Sequence, residues 1–118
     1  MKLGIVGSRG FNDYQFMVNH VDLTGVDTIV SGGARGADSL GAQLAKERGL
    51  GLIVFPADWK THGVKAGFLR NTQIVEASDQ IIAFWDGTSR GTMDTVSKAR
   101  AAGKPVTLIN YTNTVLDF

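Results

Sequence analysis

The stretch Thr28-Ile29-Val30-Ser31-Gly32-Gly33-Ala34-Arg35-Gly36-Ala37-Asp38 passes from an apolar run, through a glycine-rich turn, into a segment with helical spacing. Thr28–Val30 is short, nearly continuous in apolar character and bounded by turn residues, which is how a strand buried on both faces reads. Beyond the turn, Ala37, Leu40, Leu44 and Ala45 fall on one stripe of a helix over 37–48, closed by Gly49. A buried strand leading straight into an amphipathic helix is the unit from which parallel sheets are built.

The same alternation extends outward in both directions. Leu3–Val6 precedes it, and Leu52–Phe55, Ile81–Trp85 and Val106–Ile109 follow. Trp85, closing the fourth run, reads as core. Between the runs, helical spacing predicts a helix over about Asp13 to Val21. Another covers 64–77, with Val64, Phe68 and Val75 on its stripe and the polar pair Arg70-Asn71 interrupting it. A last helix covers 91–102, carries Val96, Ala99 and Ala102, and is stopped by Gly103-Lys104-Pro105. The order β-α-β-α-β-α-β-α-β predicts an α/β fold: a Rossmann-like, doubly wound, mainly parallel five-stranded sheet with helices on both faces. Residues 1–118 read as one domain, with no repeat, linker or low-complexity stretch.

Composition narrows the function classes. An apolar fraction of 43% supports a core. Twelve basic against eleven acidic residues leave a net charge of +1, which disfavours non-specific nucleic-acid binding. The absence of cysteine excludes disulfides and thiolate metal sites. His20 and His62 stand alone, without a second ligand at metal spacing, so no metal and no cofactor is expected. Leu3–Val6 is too short for a signal peptide or a membrane span, and the expected compartment is cytoplasmic.

The connections between elements divide into two kinds. Those entering strands are plain: Leu23-Thr24-Gly25, Gly49-Leu50-Gly51, Ala77-Ser78-Asp79 and Gly103-Lys104-Pro105. Those leaving strands are chemically loaded: Gly7-Ser8-Arg9-Gly10, Ser31 to Gly36, Pro56-Ala57-Asp58-Trp59, and Asp86-Gly87-Thr88-Ser89-Arg90-Gly91-Thr92. All strands of an open parallel sheet end at one edge, where ligands bind, so three glycine- and arginine-bearing loops converge there. Glycines let the backbone approach a ligand, and the following helix N-terminus favours an anion. Arg35 adds a charge-assisted hydrogen bond to a phosphate in the first loop, or is simply solvated. Thr88 or Ser89 caps the last helix. Asp38 either complements the dipole of its helix or accepts hydrogen bonds from a ribose. Trp59 stacks on a base or merely covers the sheet edge. Arg70-Asn71 is a solvated pair or reaches back to the ligand.

Three common nucleotide signatures are missing. Gly4 to Gly10 reads G-x-x-G-x-x-G rather than the dinucleotide G-x-G-x-x-G. There is no Walker A pattern, and the second strand ends in Ser31 where a ribose-reading acid is usual. An ordinary NAD dehydrogenase is therefore not expected. Two arginine contacts at ~1.5–3 kcal/mol each and two helix termini at ~0.3–1 kcal/mol suggest micromolar-class affinity.

Gly7-Ser8-Arg9, Ser31 to Asp38, Phe55 to Trp59, Arg70-Asn71, Phe84 to Gly87 and Ser89 to Thr92 together resemble the YspA/YpsA-related branch of the SLOG superfamily. That superfamily groups the DNA-processing protein DprA with the Lonely Guy cytokinin-activating enzymes. The resemblance runs to about Ile109 and is most specific over Ser31–Asp38. It implies a Rossmann-like fold, a nucleotide or nucleotide-derived signalling ligand at the sheet edge, and homodimers. Contacts for a dimer would come from Val64–Val75 or from the tail Asn110 to Phe118. Lonely Guy enzymes carry a P-G-G-x-G-T-x-x-E loop. Here Thr88 to Thr95 keeps the Gly91-Thr92 pair, puts Thr95 where the catalytic glutamate belongs and places Asp94 one residue earlier.

The resemblance thus implies first a sensor or binding module. In it Arg9, Arg35 and Arg90 neutralise phosphate, the backbones of Gly32, Gly33, Gly36 and Gly91 cradle it, Asp38 holds ribose and Trp59 meets the base. Gly7, Ser8, Ser31, Asp58, Arg70, Asn71, Asp86, Gly87, Ser89 and Thr92 complete the expected ligand-binding set. The alternative is a nucleoside-monophosphate phosphoribohydrolase that uses Asp94 or Asp38 as the carboxylate. A DprA-like single-stranded DNA binder ranks last, at net charge +1.

Overall fold

Alternation along the strands explains how both faces of the sheet come to be covered. Leu3, Ile5, Ile29, Ile82 and Phe84 point to one side, and Val6, Val30, Ile81 and Ala83 to the other; all are buried. The computed structural model of the protein describes residues 1–113. Its elements are β1 (Lys2–Gly7), α1 (Tyr14–His20), β2 (Thr28–Ser31), α2 (Ala37–Glu47), β3 (Gly51–Val54), α3 (Trp59–His62), α4 (Ala66–Ala77), β4 (Gln80–Trp85), α5 (Arg90–Ala101) and β5 (Val106–Asn110). Single 3₁₀ turns cover Gly63–Lys65 and Tyr111–Asn113.

The five strands form one all-parallel sheet in the order β3-β2-β1-β4-β5. Leu3 of β1 pairs with Ile29 on one side, and Ile5 pairs with Ile82 on the other. The chain therefore steps outward from β1 to β3, then returns to β1's other flank for β4 and β5. Loops leaving β1 and β4 diverge at that reversal and open a crevice, the usual ligand position in such sheets. Met17 of α1 with Leu44 and Ala45 of α2 seal one face, while Ile74 and Val75 of α4 with Val96 and Ala99 of α5 seal the other. This is the α/β, Rossmann-like arrangement expected from the sequence.

Three local expectations are corrected. The helix expected over 64–77 is α4, which starts at Ala66 after the 3₁₀ turn; the short α3 before it is capped by Asp58, which accepts the Thr61 N–H at 3.1 Å, and ends at Gly63 with φ 57°. The apolar stripe through Val64 and Phe68 is not core; Val64 is 86% exposed and Phe68 half exposed. The buried face of α4 runs through Ala66, Arg70, Asn71, Ile74 and Val75 instead, so the polar pair continues that face. Trp85 is only partly buried, and its indole N–H donates to the Ser89 carbonyl at 3.1 Å. It belongs to the sheet edge, not the core.

No helix among the described residues is long and apolar enough to cross a membrane, and no group of three or more His, Asp or Glu among them is gathered to hold a metal. Residues 114–118 of the tail expected to support a dimer lie outside the described residues.

Candidate functional site

Polar side chains from three loops and one helix face are tied together at the crevice. The β2–α2 turn packs directly on the β1 loop. Gly36 has φ 78°, and a Cβ on it would run into the Ser8 and Arg9 carbonyls; the Ala37 N–H reaches the Ser8 carbonyl at 3.4 Å. Ser31 is buried, and its hydroxyl donates to the Asp38 backbone carbonyl at 2.9 Å. The Asp38 carboxylate accepts the Ala34 N–H at 3.2 Å and faces Arg70 at 3.9 Å. Arg70 is held more tightly elsewhere, donating to the Gly32 carbonyl at 2.6 Å and to Asn71 Oδ1 at 3.1 Å. A Cβ on Gly32 would strike both the Arg70 guanidinium and the Asp38 carboxylate, so a larger residue there displaces both side chains.

The same helix face secures the loop after β4. Asn71 Nδ2 donates to the Gly91 carbonyl at 3.2 Å and to Asp94 Oδ2 at 3.1 Å. Asp94 also pairs with Lys98 at 2.8 Å. Ser8 links the β1 and β4 loops, accepting the Asp86 N–H on its hydroxyl at 3.0 Å. Asp86 in turn accepts the Thr88 and Ser89 N–H groups, both at 2.8 Å, and these bonds hold its carboxyl below the usual carboxylate range. Ser89 caps α5 through the Thr92 N–H.

Over this framework lie two adjoining hollows that share Arg9, Ala34, Trp59 and Arg70. The inner one, about 190 Å³, is floored by Val6, Gly7, Ile74 and Thr95 and ringed by Asp38, Asn71, Ser89, Gly91 and Thr92. Val64, Gly67 and Phe68 form its lip. The outer one, about 280 Å³, adds Gly32, Gly33, Arg35, Pro56 and Ala57. Asp38 is 6% exposed. Burial pushes its carboxyl up to about 6, against the downward pull of the Ala34 N–H and of the Arg70 and Arg9 guanidiniums. It can therefore hold or release a proton near neutrality while accepting a hydroxyl hydrogen bond.

The residues singled out from sequence divide by position. Gly7, Arg9, Gly32, Gly33, Arg35, Asp38, Trp59, Arg70, Asn71, Ser89, Gly91 and Thr92 line the hollows. Ser8, Ser31 and Gly36 lie beneath them as supports, while Asp58, Asp86, Gly87, Arg90 and Asp94 line neither. Sequence reasoning did not find Ala34, Phe68 or Val64 as lining. Val64 lies in the 3₁₀ turn before α4 and Phe68 is an exposed residue of α4 itself.

A family model for the YspA, cpYpsA-related SLOG family matches residues 1–62. That span carries β1, β2 and β3, the arginine loop after β1 and the Ser31–Asp38 turn. The chain belongs to this family. The chain is also similar to the Gene 61 protein of Mycobacterium phage D29, 45% identical over 89 residues that cover 70% of this chain and 70% of the relative. SLOG membership suggests nucleotide-related binding or a related activity.

Proposed function

We propose that this protein binds a nucleotide or nucleotide-derived, phosphate-bearing ligand at the two hollows, as a sensor or binding module. The observation that supports this most is the junction of the hollows at Arg9, Ala34, Trp59 and Arg70, where the segments leaving β1, β2 and β3 meet α4. Guanidiniums suit phosphate, the Asp38 carboxylate suits a ribose hydroxyl, and half-exposed Trp59 offers a face for a base. The chain acts in this reading as one cytoplasmic domain that forms a homodimer, which light scattering in solution tests. A thermal-shift panel of nucleoside phosphates and NAD, with Arg9→Ala as control, tests the binding itself. At about 100 times its dissociation constant a ligand adds ~2.7 kcal/mol. A stabilisation lost in Arg9→Ala supports the reading; no stabilisation by any nucleotide overturns it.

One observation favours a second reading. Asp38 lines the inner hollow with a carboxyl raised to about 6, as a general acid–base in N-glycosidic hydrolysis requires. Asp94, by contrast, is spent on Asn71 and Lys98. Chromatographic detection of free base from nucleoside monophosphates, abolished by Asp38→Asn and retained by Asp94→Asn, would establish hydrolysis. The binding-module reading predicts no base release.

A further inference from the structure

We infer that the ligand carries a diphosphate, or two adjacent phosphates, received in the outer hollow by Arg9, Arg35 and Arg70. This rests on the nucleotide-binding reading above and narrows its ligand from phosphate-bearing nucleotides in general to nucleoside diphosphates and diphosphate-linked nucleotides.

Three guanidiniums reach this hollow from three different elements: the loop after β1, the loop after β2, and α4. No carboxylate is among its described lining residues. Like charges brought together oppose folding unless something serves them, and the only role for either in the fold is the long-range pull of Arg9 on the Asp38 carboxyl. Neither makes a hydrogen bond or ion pair among the described residues, and both are exposed. Arg70 is different, because its bonds to Gly32 and Asn71 fix its charge in place. Of the carboxylates close by, Asp38 stands 3.9 Å from Arg70 and lines the inner hollow, and Asp58, between the lining residues Ala57 and Trp59, is engaged in capping α3 through the Thr61 N–H.

Donor geometry then decides the ligand class. A guanidinium recognises phosphate with a planar fork of paired N–H groups, so two uncommitted forks and the free edge of Arg70 call for several acceptor oxygens spread over more than one centre. A phosphate monoester presents three terminal oxygens around a single phosphorus. A diphosphate presents more of them on two centres, which matches arginines standing on separate walls. The inner hollow, with its hydroxyls, amide and apolar lip, suits the uncharged nucleoside end.

The test is titration calorimetry of the full chain with matched nucleoside mono- and diphosphates of all four common bases. Inorganic phosphate and pyrophosphate serve as base-independent probes. Arg35→Ala is compared with wild type, and Arg48→Ala, an exposed arginine at the end of α2, controls for bulk charge. The expected result is about tenfold tighter binding of each diphosphate than its monophosphate, and of pyrophosphate than phosphate. Arg35→Ala should erase that preference while leaving monophosphate affinity within about twofold, and Arg48→Ala should change neither. Equal affinity for mono- and diphosphates overturns the inference and leaves the nucleotide-binding reading standing. A preference that Arg48→Ala reduces as much as Arg35→Ala also overturns it, because the effect is then one of net charge. If no probe binds, both readings fall.

Discussion

Asp38 is held where a carboxylate is expensive to keep ionised. Its pKa rises from 3.8 to about 6, so between those values the folded state binds more protons than the unfolded chain, and stability falls as pH rises. The advantage is fully present below about pH 4 and lost above about pH 6; one pKa unit is 1.36 kcal/mol, so the change is on the order of 3 kcal/mol. Urea denaturation of the unliganded protein from pH 4 to pH 7 should show this decline, and Asp38→Asn should flatten it. An unchanged slope in Asp38→Asn would assign the titration elsewhere. Gly32 yields a second prediction at this scale. Gly32→Ala should cost about 1–3 kcal/mol through the clash with Arg70 and Asp38. It should also weaken nucleotide binding, because both displaced side chains line the inner hollow.

At the scale of elements, α4 matters more than its apolar content suggests. Arg70 and Asn71 sit on its buried face and hold the carbonyls of Gly32 and Gly91, one in each glycine loop. Asn71→Leu keeps the volume but leaves the Gly91 carbonyl and Asp94 without that donor, for a loss of about 1–3 kcal/mol in chemical denaturation. Gln73→Ala on the exposed face of the same helix should stay within about 0.5 kcal/mol. The strands were readable from sequence because burial on both faces leaves an unbroken apolar signature, and each lies within a residue of its expected bounds. The exposure of Val64 and Phe68 was not, since their spacing mimics a core stripe while Val64 falls in the 3₁₀ turn before α4. The inward role of Arg70-Asn71 was legible only as one of two alternatives. A polar pair reads as solvated until the carbonyls it serves are placed in space, and those carbonyls come from loops 38 and 20 residues away in the chain.

Over the whole molecule, the sheet order decides where the chemistry gathers. Because β4 pairs with β1 rather than with β3, the loops after β1, β2 and β4 become neighbours, and Ser8 and Asp86 join two of them. The order itself follows from burying both faces: α1 and α2 cover one, α4 and α5 the other. A core lesion far from this edge should therefore separate stability from binding. Leu44→Ala, at a fully buried position on α2, should cost about 2–5 kcal/mol while nucleotide affinity below the unfolding transition stays unchanged. The measurement that tests the central claim most directly is amide chemical-shift mapping of ¹⁵N-labelled protein during titration with nucleoside mono- and diphosphates. The account predicts saturable shifts concentrated at Gly7–Arg9, Gly32–Arg35, the Trp59 indole and Ser89–Thr92. Shifts elsewhere on the molecule, or none at millimolar nucleotide, would contradict it.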